Sequence, residues 1–144
     1  MAGQYVATST VSIDAPSDRV WDVITDPAAV KEFMFGAELV TEWTVGGPML
    51  WRGEWEGKEY QDKGKILELV PGQRLVHTHF SPLGGEEDTP ENYHTLTWIL
   101  EDEGGKTRLT LSQDNNASEQ AAQHSQGMWD MLVADVKGIA ERAH

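Results

Sequence analysis

The chain has 144 residues, 39% of them hydrophobic, and a formal net charge of −13 at pH 7. This length fits one domain, residues 1–144, which would bury roughly two-thirds of the surface that its unfolded form exposes. The acidic excess would repel nucleic-acid phosphates, and no run of 18 or more apolar residues is present to cross a bilayer. We therefore expect neither a nucleic-acid partner nor membrane insertion.

The chain contains no cysteine, which excludes disulfides, thiolate metal sites and a cysteine nucleophile. Its first residues, MAGQYVATSTVSID, contain neither the basic segment nor the apolar core of a secretory signal. We therefore expect a cytoplasmic protein.

The first part of the chain predicts one strand and two short helices. Residues 5–13 are rich in β-branched side chains, which favour a strand. A helix follows, for which Asp14 or Ser17 is the expected N-cap. Pro27 ends this helix, because the residue before a proline is disfavoured in the helical conformation. Residues 28–33 predict a second short helix.

From residue 38 onward the apolar residues recur with the period of a strand. Glycine- and proline-rich turns separate six predicted strands, at residues 39–43, 49–55, 59–70, 74–80, 93–100 and 107–113. Residues 118–143 then predict a long helix with one broad apolar face and Ser118 as its cap. This order of elements predicts an α+β fold with a mostly antiparallel sheet.

Large apolar side chains are frequent in this chain, with six Trp, three Phe and five Met. A twisted sheet that bends round one helix is wider than the helix, so large side chains fill the space between them or a cavity remains. Apolar walls with a few polar groups are typical of small-molecule sites. The candidate ligand-binding residues on these walls are Phe33, Phe35, Trp43, Trp51, Trp55, Trp98, Met128, Trp129 and Leu132. The alternative is that these side chains simply fill the core.

Histidines are the polar groups that could converge on such a cavity. If Leu75 faces inward, alternation along the strand puts His77 and His79 on the same face, while His94 shares a face with Trp98 on the next strand. A neutral imidazole can bind a ligand by hydrogen bonds, coordinate a metal or act as a general base. An error of one residue in the register would instead turn His77 and His79 to solvent. Structural, ligand-facing and catalytic or metal-binding histidines therefore all stay open.

Sequence motifs for other chemistry are missing. The chain has no H-E-x-x-H, no G-x-S-x-G, no P-loop and no G-x-G-x-x-G. Asp114-Asn115-Asn116 lacks the spacing of a calcium loop and is typical of a connection between a strand and a helix. We therefore expect no metal and no cofactor.

Motifs spread over nearly the whole chain carry a resemblance to a known superfamily. They are Val11-x-Ile13-x-Ala15-Pro16 with Val20-Trp21, Gly46-Gly47, Trp51-x-Gly53, Gly64, Pro71-x-x-Arg74-Leu75, Gln113-Asp114-Asn115 and Gly127-x-Trp129. The chain thereby resembles the START-like (SRPBCC) lipid-transfer and cyclase superfamily, in the branch similar to the C-terminal domain of the activator of the heat-shock protein 90 ATPase. The resemblance implies a helix-grip fold, in which a curved antiparallel sheet wraps round a long C-terminal helix and two short helices lie between strands 1 and 2.

The resemblance implies three kinds of function. The first is the binding or carriage of a hydrophobic small molecule, aromatic or lipid-like, in an internal cavity. The alternative is an enzyme of the cyclase, dehydratase or aldolase type on a polyketide-like substrate, with His77, His79 or His94 as acid or base. The branch name adds a protein that acts on a chaperone, although the eukaryotic cochaperone carries an N-terminal domain that we do not expect here. The superfamily shares no universal catalytic set, so no catalytic residue is assigned.

Two structural expectations complete the interpretation of the sequence. Trp129 should anchor the last helix on the sheet. The mouth of the cavity should lie between residues 31–37 and residues 122–128, with Phe33 and Phe35 as its gate.

Overall fold

The computed structural model of the chain describes residues 5–34, 36–82 and 87–142, apart from the side chain of Trp55. The elements within these residues are β1 (Tyr5–Ile13), α1 (Ser17–Thr25), α2 (Pro27–Phe33), β2 (Glu38–Thr41), β3 (Pro48–Trp55), β4 (Lys58–Val70), β5 (Arg74–His79), β6 (His94–Asp102), β7 (Thr107–Asn116) and α3 (Glu119–Ala140). A short 3-10 helix, Pro90–Asn92, precedes β6. The predicted number and order of the strands and α-helices are confirmed.

The seven strands form one sheet in the order β1-β7-β6-β5-β4-β3-β2, and every neighbouring pair is antiparallel. The long helix α3 packs mainly on β1 and also contacts β7, α1 and α2. The predicted helix-grip arrangement is therefore confirmed. None of the helices in the described part of the chain combines the length and the apolar character needed to span a bilayer.

The inner face of α3 is filled by apolar side chains. Its large buried residues are Trp129, Leu132, Val133, Val136 and Ile139. The indole N–H of Trp129 also donates a hydrogen bond to Oε1 of Gln113 on β7, at 3.1 Å. Trp129 thus joins the helix to the sheet by packing and by a buried hydrogen bond. Met128, one of the candidate ligand-binding residues, is 38% exposed and does not lie on the inward face of α3.

The N-cap of α3 is the residue predicted from the sequence, whereas the N-cap of α1 is not. The hydroxyl of Ser118 caps α3 by accepting a hydrogen bond from a backbone N–H of the first turn, at 3.0 Å. The cap position of α1 is Pro16, and no side chain makes a cap hydrogen bond there, so the prediction of Asp14 or Ser17 is wrong. The Ser17 hydroxyl lies 3.3 Å from the hydroxyl of Thr107 instead, which links the start of α1 to β7.

Gly64 on β4 lies unusually close to the neighbouring strand, and Gly64→Ala should therefore destabilise the fold. An added Cβ would lie 1.9 Å from the carbonyl oxygen of Thr78 on β5, so the two strands would have to separate. We expect a loss of about 1–3 kcal/mol, the usual cost of overpacking, in urea unfolding.

The matched control for this substitution is Gly127→Ala on α3. An added Cβ there has no atom within 4 Å, so alanine should stabilise the helix by about 0.5–1 kcal/mol. Equal stability of wild type and Gly64→Ala would contradict the close approach of β4 and β5.

Candidate functional site

A small cavity lies between the two short helices and the face of the sheet that they cover. Its volume is about 20 Å³, which is room for about one water molecule. The residues that line it are Ile24, Val30, Phe33, Met34, Leu39, Trp43, Met49, Trp51, Leu75, His77, His79, Leu96 and Trp98. None of these residues belongs to α3, so the cavity lies beside the long helix and not beneath it.

The second helix and the turn after it form one wall of the cavity. The ring of Phe33 is tilted against that of Trp98, with ring centroids 6.2 Å apart, so an aromatic contact crosses from helix to sheet. Gly36 then has a φ of 90°, a backbone conformation that residues other than glycine rarely adopt. Its N–H donates to the carbonyl of Lys31 at 2.8 Å, which closes the turn and leaves Met34 at the cavity.

Three lining residues are only half-buried, and they mark where the cavity reaches the surface: Met34, Trp43 and His79. Trp43 has φ 55°, the left-handed conformation, which costs a residue with a side chain on the order of 1–2 kcal/mol. This conformation explains why β2 ends at Thr41, before the predicted end of the strand. Backbone strain of this kind is often found at functional sites.

His77 is an internal hydrogen-bonding residue with 2% of its surface exposed. An indole nitrogen can only donate, and that of Trp98 donates to Nε2 of His77 at 3.0 Å. The proton of the neutral ring therefore lies on Nδ1, which donates to the carbonyl of Thr78 at 2.9 Å. Burial lowers the pKa of His77 from 6.5 to about 4. With both nitrogens engaged, His77 orients Trp98 and has no free nitrogen for a ligand.

His79 differs from His77 because its partner is a carboxylate. Nε2 of His79 lies 3.0 Å from Oδ2 of Asp62, and the two side chains are 12% and 14% exposed. A carboxylate only accepts, so Nε2 carries the proton and Nδ1 of the neutral ring carries a lone pair. The ring stands edge-on to that of Trp51, with centroids 5.0 Å apart. The wall of the cavity thus contains an imidazole whose tautomer is fixed by Asp62.

Asp62, the partner of His79, was not among the site residues predicted from the sequence. It pairs with Trp51 across β3 and β4, and alternation puts it on the same face as Gly64 and Ile66. An acid on the covered face of a strand was the signal in the sequence. Its charge also acts on Tyr60: burial first, and then the charge of Asp62, raise the pKa of Tyr60 above its usual value.

Half of the residues predicted for the ligand site line this cavity. They are Phe33, Trp43, Trp51, His77, His79 and Trp98. Phe35, the second residue of the predicted gate, and the side chain of Trp55 lie outside the described residues. Phe33 is fully buried, and residues 122–128 do not line the cavity. Within the described part of the segment 31–37, the lining residues are Phe33 and Met34, and Met34 is the half-buried one.

The other four predicted residues lie away from the cavity. Trp129 and Leu132 are buried under α3, and Met128 is on its outer side. His94 pairs with His79 in the sheet, but its Nδ1 donates to the carbonyl of Asp114 at 2.8 Å and its ring does not line the cavity.

The family of the chain follows from a comparison with family models. The model described as activator of Hsp90 ATPase homolog 1-like protein (AHSA1) matches residues 14–141. The chain belongs to the AHSA1 family. The resemblance to the START-like superfamily is thereby confirmed. A comparison with curated proteins gives no match.

Several solved structures share the AHSA1 fold of this chain. A protein from Cytophaga hutchinsonii, solved in solution, is 38% identical over 98% of this chain and 97% of its own length, with a TM-score of 0.85. DynU16, from the dynemicin biosynthetic locus, is 20% identical with a TM-score of 0.77, and the match covers 95% of this chain but 47% of DynU16. The Aha1 dimer from Colwellia psychrerythraea is 15% identical over 96% and 97% of the two chains, with a TM-score of 0.73. The last two similarities show the fold alone.

Proposed function

We propose that this AHSA1 protein binds a small apolar molecule, preferably an aromatic one, in the cavity beside α1 and α2. The composition of the lining carries the proposal, because aromatic and aliphatic side chains form nearly all of it and two imidazoles are the polar exceptions. Natural small-molecule sites have this composition. Membership of a family that typically binds hydrophobic ligands supports it further.

A ligand larger than water requires the cavity to open. An apolar cavity of roughly 150 Å³ is needed to hold a benzene-sized molecule, whereas this cavity measures about 20 Å³. Met34 is the side chain best suited to move, because it is half-buried, unbranched and adjacent to a turn. Displacement of Met34 towards solvent would join the cavity to the surface without breaking α2.

Met34→Ala should therefore strengthen the binding of toluene several-fold, because it widens the cavity where ligand must enter. The cost in stability should stay below about 2 kcal/mol, since the side chain is only partly buried and a fully buried methionine costs more. Toluene affinity is measured by NMR titration and stability by urea unfolding.

The matched control is Met131→Ala on α3, where the side chain is 62% exposed and far from the cavity lining. It should change neither quantity. A Met34→Ala protein that keeps its fold but binds toluene no better than the wild type would count against this entry route.

For an enzyme with its active site in this cavity, one imidazole remains as the candidate acid or base. Both nitrogens of His77 are used inside the protein, and His94 does not line the cavity. A cyclase or dehydratase mechanism in this cavity would therefore have to use His79, with Asp62 holding its tautomer. Turnover of a polyketide-like substrate that is lost in a His79 variant would favour catalysis over binding alone.

A further inference from the structure

We propose that Asp62 and His79 form a polar recognition site, which selects apolar ligands that carry one neutral hydrogen-bond donor such as a hydroxyl group. This inference rests on the proposed binding function and adds the polar group of the ligand. The ligand would be a small phenol or alcohol, with its hydroxyl group at His79 and its apolar part in the cavity.

The hydrogen-bonding capacity of His79 depends on which ring nitrogen carries the proton. Asp62 accepts the Nε2 proton at 3.0 Å, so Nδ1 is the acceptor nitrogen of the neutral ring. Nδ1 makes no hydrogen bond within the described residues, although His79 lines the cavity. A hydroxyl group of a ligand in the cavity would donate to this nitrogen.

The two imidazoles in the cavity wall differ in their hydrogen-bond partners. His77 has a partner for each nitrogen and is complete without a ligand. His79 has a partner for only one nitrogen, and that partner is a charged group. Only His79 therefore has hydrogen-bonding capacity left for a ligand.

The pair of Asp62 and His79 is poorly suited to stabilise the fold. The side chain of Asp62 is 14% exposed, and its Oδ1 is buried without a hydrogen-bond partner in the described part of the chain. A buried charge with an unpaired oxygen costs free energy, and apolar residues in its place are often as stable or more stable. The pair is therefore better explained by recognition than by folding.

The charge of Asp62 also limits the ligand. A carboxylate ligand placed beside Asp62 would bring two like charges together in a partly buried site, which is unfavourable. The formal net charge of −13 acts in the same direction. Neutral hydroxylated molecules are therefore expected to bind better than fatty-acid anions.

The test compares 4-fluorophenol with 4-fluorotoluene, two ligands of similar size that differ in the hydroxyl group. Their dissociation constants are measured by fluorine NMR with the wild-type protein and with His79→Phe, which keeps an aromatic ring against Trp51. The ratio of the two constants, compared between the proteins, cancels the different hydration of the two ligands. We expect the ratio to move against the phenol by about 3- to 10-fold in His79→Phe, the value of one hydrogen bond.

The control is His124→Phe, the same change on the exposed side of α3, and its ratio should equal that of the wild type. If His79→Phe disturbs the fold because Asp62 loses its partner, the double variant His79→Phe with Asp62→Leu replaces it and should show the same change of ratio. If both ligands bind the wild type but the ratio is unchanged in the variant, the proposal of a recognition site is wrong, whereas the proposed binding function is supported. If neither ligand binds the wild type, both proposals fail.

Discussion

Replacement of Trp129 by alanine is expected to lower the free energy of unfolding by about 3–5 kcal/mol, the range for a buried aromatic residue cut back to a methyl group. Trp129 is 4% exposed in the contact between α3 and the sheet. Its loss would also leave Oε1 of the buried Gln113 without its donor. The space left by the missing indole and the unpaired oxygen of Gln113 would both lower the free energy of unfolding.

Two further variants separate these contributions in urea unfolding. Trp129→Phe keeps most of the apolar volume but removes the donor to Gln113, and it should lose about 1–3 kcal/mol. Met131→Ala, on the exposed side of the same helix, should stay within about 0.5 kcal/mol of the wild type. A loss below about 1 kcal/mol for Trp129→Ala would mean that α3 is not held to the sheet by this residue.

The second large effect is a loss of stability in mild acid that depends on His77. Burial lowers the pKa of His77 from 6.5 to about 4. Between these two values the unfolded chain takes up a proton at this residue and the folded protein does not, so the free energy of unfolding falls as the pH falls. Protonation of His77 does not affect the free energy of unfolding above pH 6.5. Between the two pKa values it lowers that free energy by about 1.4 kcal/mol for each pH unit.

The matching measurement is urea unfolding between pH 7 and about pH 4.5 for the wild type and His77→Gln. The glutamine can still accept from Trp98 but does not titrate. The stability difference between the two proteins should change by about 2–3 kcal/mol over this range, because only the wild type contains the buried imidazole. Parallel pH profiles for the wild type and His77→Gln would show that His77 is not kept neutral by the fold.

The elements of the fold were predictable from the sequence because each has a strong local signal. Alternation along β5 and β6 put Leu75, His77 and Trp98 on the covered face, and the pairing of Leu75 with Trp98 confirms this register. Ser118 was found as a cap because its hydroxyl acts on the first turn of its own helix. Such signals depend on residues close together in the chain.

The position of the cavity was not predictable in the same way. Whether apolar residues fill space or leave it depends on how α1, α2 and α3 pack together, and no residue of α3 lines the cavity described above. The roles of His77 and His79 also depend on their partners, Trp98 and Asp62, which are distant in sequence. Alternation assigns a face to a histidine but not the partner of each nitrogen.

The most direct test of the proposed binding function follows the indole N–H signals of the tryptophans in a two-dimensional NMR spectrum during a toluene titration. Trp43, Trp51 and Trp98 line the cavity, whereas Trp21 and Trp129 do not. If toluene binds in this cavity, we expect saturable shifts for the three cavity tryptophans and little change for Trp21 and Trp129. Shifts at Trp129 alone, or no saturable shift at Trp43, Trp51 and Trp98, would contradict the proposed binding function.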